Sequence, residues 1–170
     1  MKTRLNLEVS LASEMVELAL SLRPESVCLV PENRKEVTTE GGLDILSNMG
    51  RAREAVEAFT DAGIPTSMFI DPNPKQLEAS AQIGSPWVEL HTGSFARAWY
   101  HESEREKELM ILRKGMDLGV SLGLRVNAGH GINYDNVEGA KQLQKVYEFN
   151  IGHSIVSRSI THGFKEAVAT

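Results

Sequence analysis

Six short apolar or alternating runs, separated by turns and helical stretches, constrain this chain more than any other feature of its sequence. They are Arg4–Val9, Ser26–Val30, Thr66–Ile70, Trp87–His91, Leu124–Ala128 and Phe149–Gly152. Between them, apolar residues at i, i+3, i+4 spacing predict helices over Met15–Leu22, Arg51–Ala62 and Lys107–Gly123. Ser13 precedes the first helix, Gly63 and Gly123 follow the other two, and Pro65 enforces a stop. Strands alternating with helices through short links build a parallel sheet from βα units. No Ser/Gly linker or charge run divides residues 1–170, which form a single domain.

Such units make either an open doubly wound sheet or an arc of a barrel. In a sandwiched parallel sheet both faces are buried and strands are apolar throughout. Here Leu5 and Leu7 alternate with Asn6 and Glu8, Val88 and Leu90 oppose Glu89 and His91, and Asn127 lies off the Val126 face. A row of Asn, Glu and His on one side of several strands is expensive to bury in an apolar layer. It suits a polar barrel centre, with the aliphatic residues facing the helices. The expected class is α/β, a TIM (β/α)8-type barrel with about six βα units present.

The strand ends are unlike one another. At the C-terminal ends stand Glu8, Pro31-Glu32, Asp71, Glu89 with His91-Thr92-Gly93, Gly129-His130-Gly131 and Gly152-His153. The N-terminal ends carry the turn residues Pro24, Pro65, Pro86 and Gly123. Barrel enzymes place their sites on the C-terminal edge, where the βα loops converge. Parity directs Glu8 and Glu89 into the barrel. Buried carboxylates there suit general acid/base work, or else pair with a barrel-facing base such as Arg4 or Arg125. His130, between glycines, is either a proton donor and acceptor or a solvated loop residue. Gly152 and His153 present backbone N–H groups ahead of the final helix, half of a phosphate site. Thr38 or Thr39 in the long Pro31–Asp44 loop offers a ligand contact or a helix cap, and Gly41-Gly42 a hinge for closure. His91 either supports Glu89 or fills the barrel, while His101 and His162 belong to the surface.

Other chemistry is excluded or unsupported. A net charge of −5 with no basic block argues against nucleic acid. No apolar run approaches the roughly 20 residues that span a bilayer, and the start MKTRLNLEVS has no secretory h-region. A cytoplasmic protein is expected. The single cysteine, Cys28 in SVCLV, forms no internal disulfide and is expected to be an inert core thiol. No compact His, Cys, Asp or Glu spacing suggests a metal.

The runs NLEVS, LVPENRKEVTTEGGLD, FIDP, VELHTG, LRVNAGHGINYDNV and NIGHSIVSRSI together resemble the pyridoxine 5'-phosphate synthase family across essentially the whole chain. The resemblance implies a TIM barrel with added helices, a higher homo-oligomer when full length, and no metal or organic cofactor. It implies condensation of 1-deoxy-D-xylulose 5-phosphate with 3-amino-2-oxopropyl phosphate, releasing phosphate and water and closing the pyridine ring of vitamin B6. By motif, Glu8 resembles the general acid/base carboxylate, Glu89 the transition-state stabiliser and His130 the proton donor, with Gly131 beside it. Thr38 resembles a substrate contact, and Gly152 and His153 the phosphate site of the amino ketone and product.

The family pattern begins with two further βα units, bearing Asn-x-Asp-His and a catalytic His, and neither precedes Met1 here. An incomplete barrel with two unpaired edges is therefore expected. A second hypothesis is a non-catalytic fragment that at most binds a phosphorylated ligand or associates with other chains. A third, another phosphosugar isomerase or aldolase, meets the difficulty that no lysine ends a strand for Schiff-base chemistry. The isolated chain is expected to be inactive and aggregation-prone. An assay for pyridoxine phosphate from the two substrates tests this, and turnover overturns it.

Overall fold

The computed structural model describes residues 3–32 and 41–170. Thr38 and Thr39 lie outside the described residues. Six strands form one parallel sheet in chain order: β1 (Asn6–Val9), β2 (Ser26–Leu29), β3 (Thr66–Ile70), β4 (Trp87–His91), β5 (Arg125–Gly129) and β6 (Phe149–Asn150). Helix α1 (Ser13–Leu22) joins the first two strands, and α2 (Met49–Asp61) and α3 (Pro74–Gln82) flank β3. After β4 come α4 (Gly93–Arg97) and α5 (Glu102–Ser121), and α6 (Val137–Ala140) precedes β6. Helices α7 (His153–His162) and α8 (Phe164–Ala169) close the chain.

Strand order decides between the two architectures. A doubly wound sheet reverses direction at a switch point, whereas here every strand pairs with its sequence neighbour. Crossovers of one hand then place the helices on a single face, and the sheet curls into an open barrel wall. The curl brings the two edge strands together at one end: Arg4, just before β1, donates to the carboxylate of Glu148, just before β6.

Register sorts the side chains as parity requires. Val9, Leu29, Met68, Val88 and Val126 align across five strands, and Ile70, Leu90 and Ala128 across the next row. All eight are buried against the helices. The other face carries Glu8, Cys28, Ser67, Trp87 and Arg125 in one row. Phe69, Glu89 and Asn127 form the next row, and His91, Gly129 and Asn150 the last.

Local chemistry sets the helix ends. Gly63 and Gly123 adopt φ of +73° and +81°, the left-handed conformation that stops α2 and α5. Ser13 proves to be the first residue of α1, with Ala12 in the capping position and no side-chain cap. Helix α3 carries little apolar periodicity because its buried face is small: Leu77, Ala79 and Ser80. Its start was nevertheless encoded, since Asn73 accepts the Lys75 N–H at 2.9 Å and Pro74 occupies the first turn.

Helix α5 lies close to the sheet through Gly115 and Gly119, one turn apart. A Cβ on Gly119 would come within 2.8 Å of the Val126 side chain, and one on Gly115 within 3.1 Å of Pro72. Gly119→Leu should therefore overpack the α5–β5 contact and lower stability by about 1–3 kcal/mol, read as a reduced urea midpoint. A midpoint equal to wild type would show that the helix can move away at no cost.

Candidate active site

The C-terminal strand ends bring four chemically capable groups to one mouth of the curled sheet. Glu89 lies deepest, 4% exposed in the middle of β4. Its Oε2 accepts from the Asn150 side-chain amide at the end of β6 and from the Cys28 thiol, with sulfur 3.7 Å away. Its Oε1 occupies the space above Gly129, where a Cβ would stand only 2.2 Å away. Glycine at that position is the condition for the carboxyl to lie there. Burial pushes the Glu89 pKa up to about 7, assisted by the charge of Glu8 and opposed by the Asn150 hydrogen bond. At neutral pH this carboxyl both gives and takes a proton readily.

Glu8 shares the polar face but is exposed, because β1 is an edge strand. The expected alternative role, an ion pair with Arg4 or Arg125, does not occur for either glutamate among the described residues. Arg4 is engaged by Glu148. Arg125 packs over the rings of Trp87 and Tyr147, 5.0 and 4.1 Å from their centroids.

His130 and Gly131 both have φ of +78°. A non-glycine residue there is strained and needs restraint from its surroundings. Thr92 supplies it. The Thr92 N–H donates to the Gly129 carbonyl at 2.8 Å, and its hydroxyl lies 2.6 Å from the carbonyls of both Gly129 and His130. Gly131 passes close to α4, where a Cβ would meet Ala96 at 2.7 Å. The His130 side chain reaches the open mouth, its ring 4.9 Å from that of His91.

Gly152 and His153 are exposed at the start of α7, Gly152 in the capping position. Ser154 in the first turn donates to the Ile132 carbonyl at 3.0 Å, tying this helix start to the His130–Gly131 loop. The first-turn N–H groups of such a helix start have no partner within the helix. That is the form of an anion site.

His91 is buried on the polar face and pairs in addition with Asp71, its Nδ1 lying 2.9 Å from Asp71 Oδ1. Asp71 had drawn notice only as a strand end. Asn150, the partner of Glu89, went unmarked, although it adjoins Gly152-His153 in the same motif. Gly42 packs closely against the end of β3, where a Cβ would meet the Asp71 backbone nitrogen at 2.3 Å. Cys28 is buried on the polar face beside Glu89, not among the helix-facing aliphatics. Burial, then the nearby carboxylates, push its thiol up, so it stays protonated and unreactive. His101 and His162 are exposed. Among the described residues no group of three or more His, Cys, Asp or Glu could hold a metal ion. None of the described helices is long and apolar enough to cross a membrane.

Comparison with known proteins places this geometry. The family described as pyridoxal phosphate biosynthesis protein PdxJ matches residues 1–170. The chain belongs to this family. It is 52% identical over 166 residues to the pyridoxine 5'-phosphate synthase of Opitutus terrae, covering 98% of this chain and 67% of that protein. To the proteins of the same name from Prochlorococcus marinus and Trichodesmium erythraeum it is 50% identical over 167 residues, covering 67% and 69% of them. The chain thus spans about two thirds of the length of these relatives. Two solved structures share the fold at low identity. A xylose isomerase domain protein from Planctomyces limnophilus gives a TM-score of 0.56 at 13% identity, covering 95% of this chain and 72% of that one. The PaMucR phosphodiesterase in its c-di-GMP complex gives 0.57 at 14% identity, covering 85% and 58%.

In this PdxJ family member the raised pKa of Glu89 has a consequence for stability whose sign can be measured. Folded, Glu89 holds its proton up to about pH 7, whereas its ordinary value is 4.5. Its cost to stability is therefore absent below pH 4.5, grows as pH rises toward 7, and stays constant above. Glu89→Gln should unfold at a higher urea concentration than wild type near pH 8.5, by up to about 3 kcal/mol, and equally near pH 4. A carboxyl carbon resonance titrating near 4.5 in the folded protein would contradict the assignment.

Proposed function

We propose that this chain carries acid/base and phosphate-binding residues of a pyridoxine 5'-phosphate synthase. The reaction would condense 1-deoxy-D-xylulose 5-phosphate with 3-amino-2-oxopropyl phosphate to give pyridoxine 5'-phosphate, phosphate and water. The observation that carries this reading is the convergence of Glu8, Glu89, His130 and the start of α7 on one mouth of the sheet, in a chain about 50% identical to curated synthases.

Forming an imine between an amine and a carbonyl, then losing water and closing an aromatic ring, needs protons delivered and removed several times at different atoms. A set of groups with separate proton affinities suits that sequence better than any single acid. Glu89, with its pKa near 7, can return a proton it has accepted. It sits in a water-poor pocket where a developing positive charge on nitrogen would be strongly stabilised. Exposed Glu8 reaches the same space from β1 as a solvated carboxylate, suited to act as a base toward substrate. His130, held at the lip by Thr92, is placed to donate a proton to a departing oxygen.

Gly152 and His153 take the phosphate of the amino ketone, with Gly131 against the ligand. The helix start supplies N–H donors and a favourable dipole, and no lysine is needed there. Thr38 is proposed as a further substrate contact. The enzyme works as a cytoplasmic homo-oligomer in this reading. The exposed Val156 and Ile160 of α7 and Phe164 and Val168 of α8 support association, because large apolar residues left in solvent favour a partner surface.

Glu8→Gln and His130→Ala should each lower turnover by at least about 10²-fold in the active synthase. Pyridoxine 5'-phosphate formation from the two substrates is the assay. A near-normal rate in either variant removes that residue from the mechanism.

A further inference from the structure

We propose that Asp71 and His91 form a positioning pair for His130: the Asp71 carboxylate fixes the His91 ring, and that ring is the wall against which His130 is oriented. The proposal rests on the reading of His130 as a proton donor and assigns a role to two residues that reading does not use.

Four observations carry it. First, His91 ends β4 on the polar face with its side chain only 3% exposed, and its Nδ1 is 2.9 Å from Asp71 Oδ1. The Asp71 carboxylate also accepts the Gly42 N–H. The His91 hydrogen bond, ahead of that one, holds the Asp71 carboxyl below the usual carboxylate range. An ionised carboxylate accepts and cannot donate, so the shared proton resides on Nδ1. Second, the Asp71 contact engages Nδ1 alone and leaves Nε2 as the ring's other hydrogen-bonding atom. That atom is buried without a hydrogen-bond partner among the described residues. A buried orphan polar atom costs free energy and is kept where it serves another end. Third, the His91 ring is gripped on two sides, with Phe69 edge-on at 5.2 Å and His130 at 4.9 Å between centroids. Fourth, Gly93 makes this contact possible. A Cβ there would lie 2.5 Å from His91 Nε2 and 3.3 Å from Cδ2 of His130.

The three residues His91, Thr92 and Gly93 therefore act on His130 in three ways. His91 supplies a ring wall, Thr92 clamps the backbone in its left-handed conformation, and Gly93 gives clearance for both imidazoles. Charged and titratable groups face this cluster from several elements: Asp71 after β3, Glu89 within β4, and Arg97 of α4, whose charge acts on Asp71. Without the carboxylate, His91 loses the reason to keep its proton on Nδ1. A proton moved to Nε2 would point at Gly93 and His130 instead, and His130 would lose its fixed partner.

Nuclear magnetic resonance of the imidazole nitrogens, together with steady-state kinetics, tests this. Wild-type His91 should carry its proton on Nδ1. Asp71→Ala should shift His91 toward the Nε2–H form, move the His130 ring signals, and lower kcat by roughly ten- to hundredfold while KM changes less than about twofold. Asp71→Asn keeps an acceptor oxygen of the same shape and should recover most of the loss. A wild-type His91 protonated on Nε2 would overturn the proposal. So would an Asp71→Ala variant with unchanged His130 signals and unchanged kcat. The kinetic arm is read in the full-length active synthase; because the ring spectra need no turnover, failure of the synthase reading there leaves this proposal to be decided by the spectra.

Discussion

Side chains of a parallel sheet alternate between its two faces, and in this protein that alternation gathers the aliphatic residues on one face and most of the polar ones on the other. One face carries Val9, Leu29, Met68, Val88 and Val126 in register, all sealed under helices. The other carries glutamate, cysteine, serine, asparagine and histidine in rows that face the inside of the curl. The burial of the first face holds the wall together, at roughly 25 cal/mol per Å² of apolar surface removed from water. The second face is free to be polar because the helices do not need it. Every feature of the candidate site depends on that division, since a one-residue slip of any strand would exchange the two faces.

The two mouths of the curl are then built differently. At the N-terminal ends Arg4 reaches Glu148 across the sheet, and Arg125 lies over Trp87 and Tyr147, with Arg4 itself 5.9 Å from the Trp87 ring. Cations stacked on aromatic faces satisfy their charge at that end without using the glutamates of the interior. The C-terminal mouth has instead small residues where side chains would obstruct it. Gly129 makes way for Glu89, Gly93 for the imidazoles and Gly131 for α4. The carboxyl of Glu89 is buried on the polar face without a cation beside it among the described ion pairs. The cost of its burial is expressed as a proton affinity near neutrality rather than as an ion pair.

Much of the fold was legible, and for identifiable reasons. Strands β3 and β4 lie at the residues their apolar runs marked, because the patterns were bounded by proline or glycine on one side and polar residues on the other. Parity of Asn6, Glu8, Glu89, His91 and Asn127 indicated a polar concave wall, and the register supports it strand by strand. What failed to show was governed by small residues or by distance. Helix α3 buries a face of alanine and serine that carries no hydropathy signal. The Asn150–Glu89 bond joins residues 61 apart and the His91–Asp71 bond residues 20 apart, and no local pattern couples them. The alternative of arginine pairing for the glutamates was equally open in the sequence. It was closed only by where Arg4 and Arg125 find their partners.

By itself the sequence determined which residues stand at the strand ends, which face each occupies, and through its motifs the family to which the chain belongs. These are one-dimensional properties, fixed by the two-residue repeat of a strand and by the order of segments along the chain. The tertiary structure alone decided the state of those residues. It buried Glu89 and left Glu8 exposed, although both lie on the polar face of their strands, because β4 has a neighbour on each side and β1 lies at an edge. It turned His91 from a residue of undecided use into the partner of Asp71 and the neighbour of His130. Proton affinity and orientation depend on what surrounds a group in three dimensions, and that surrounding exists only once the sheet has curled.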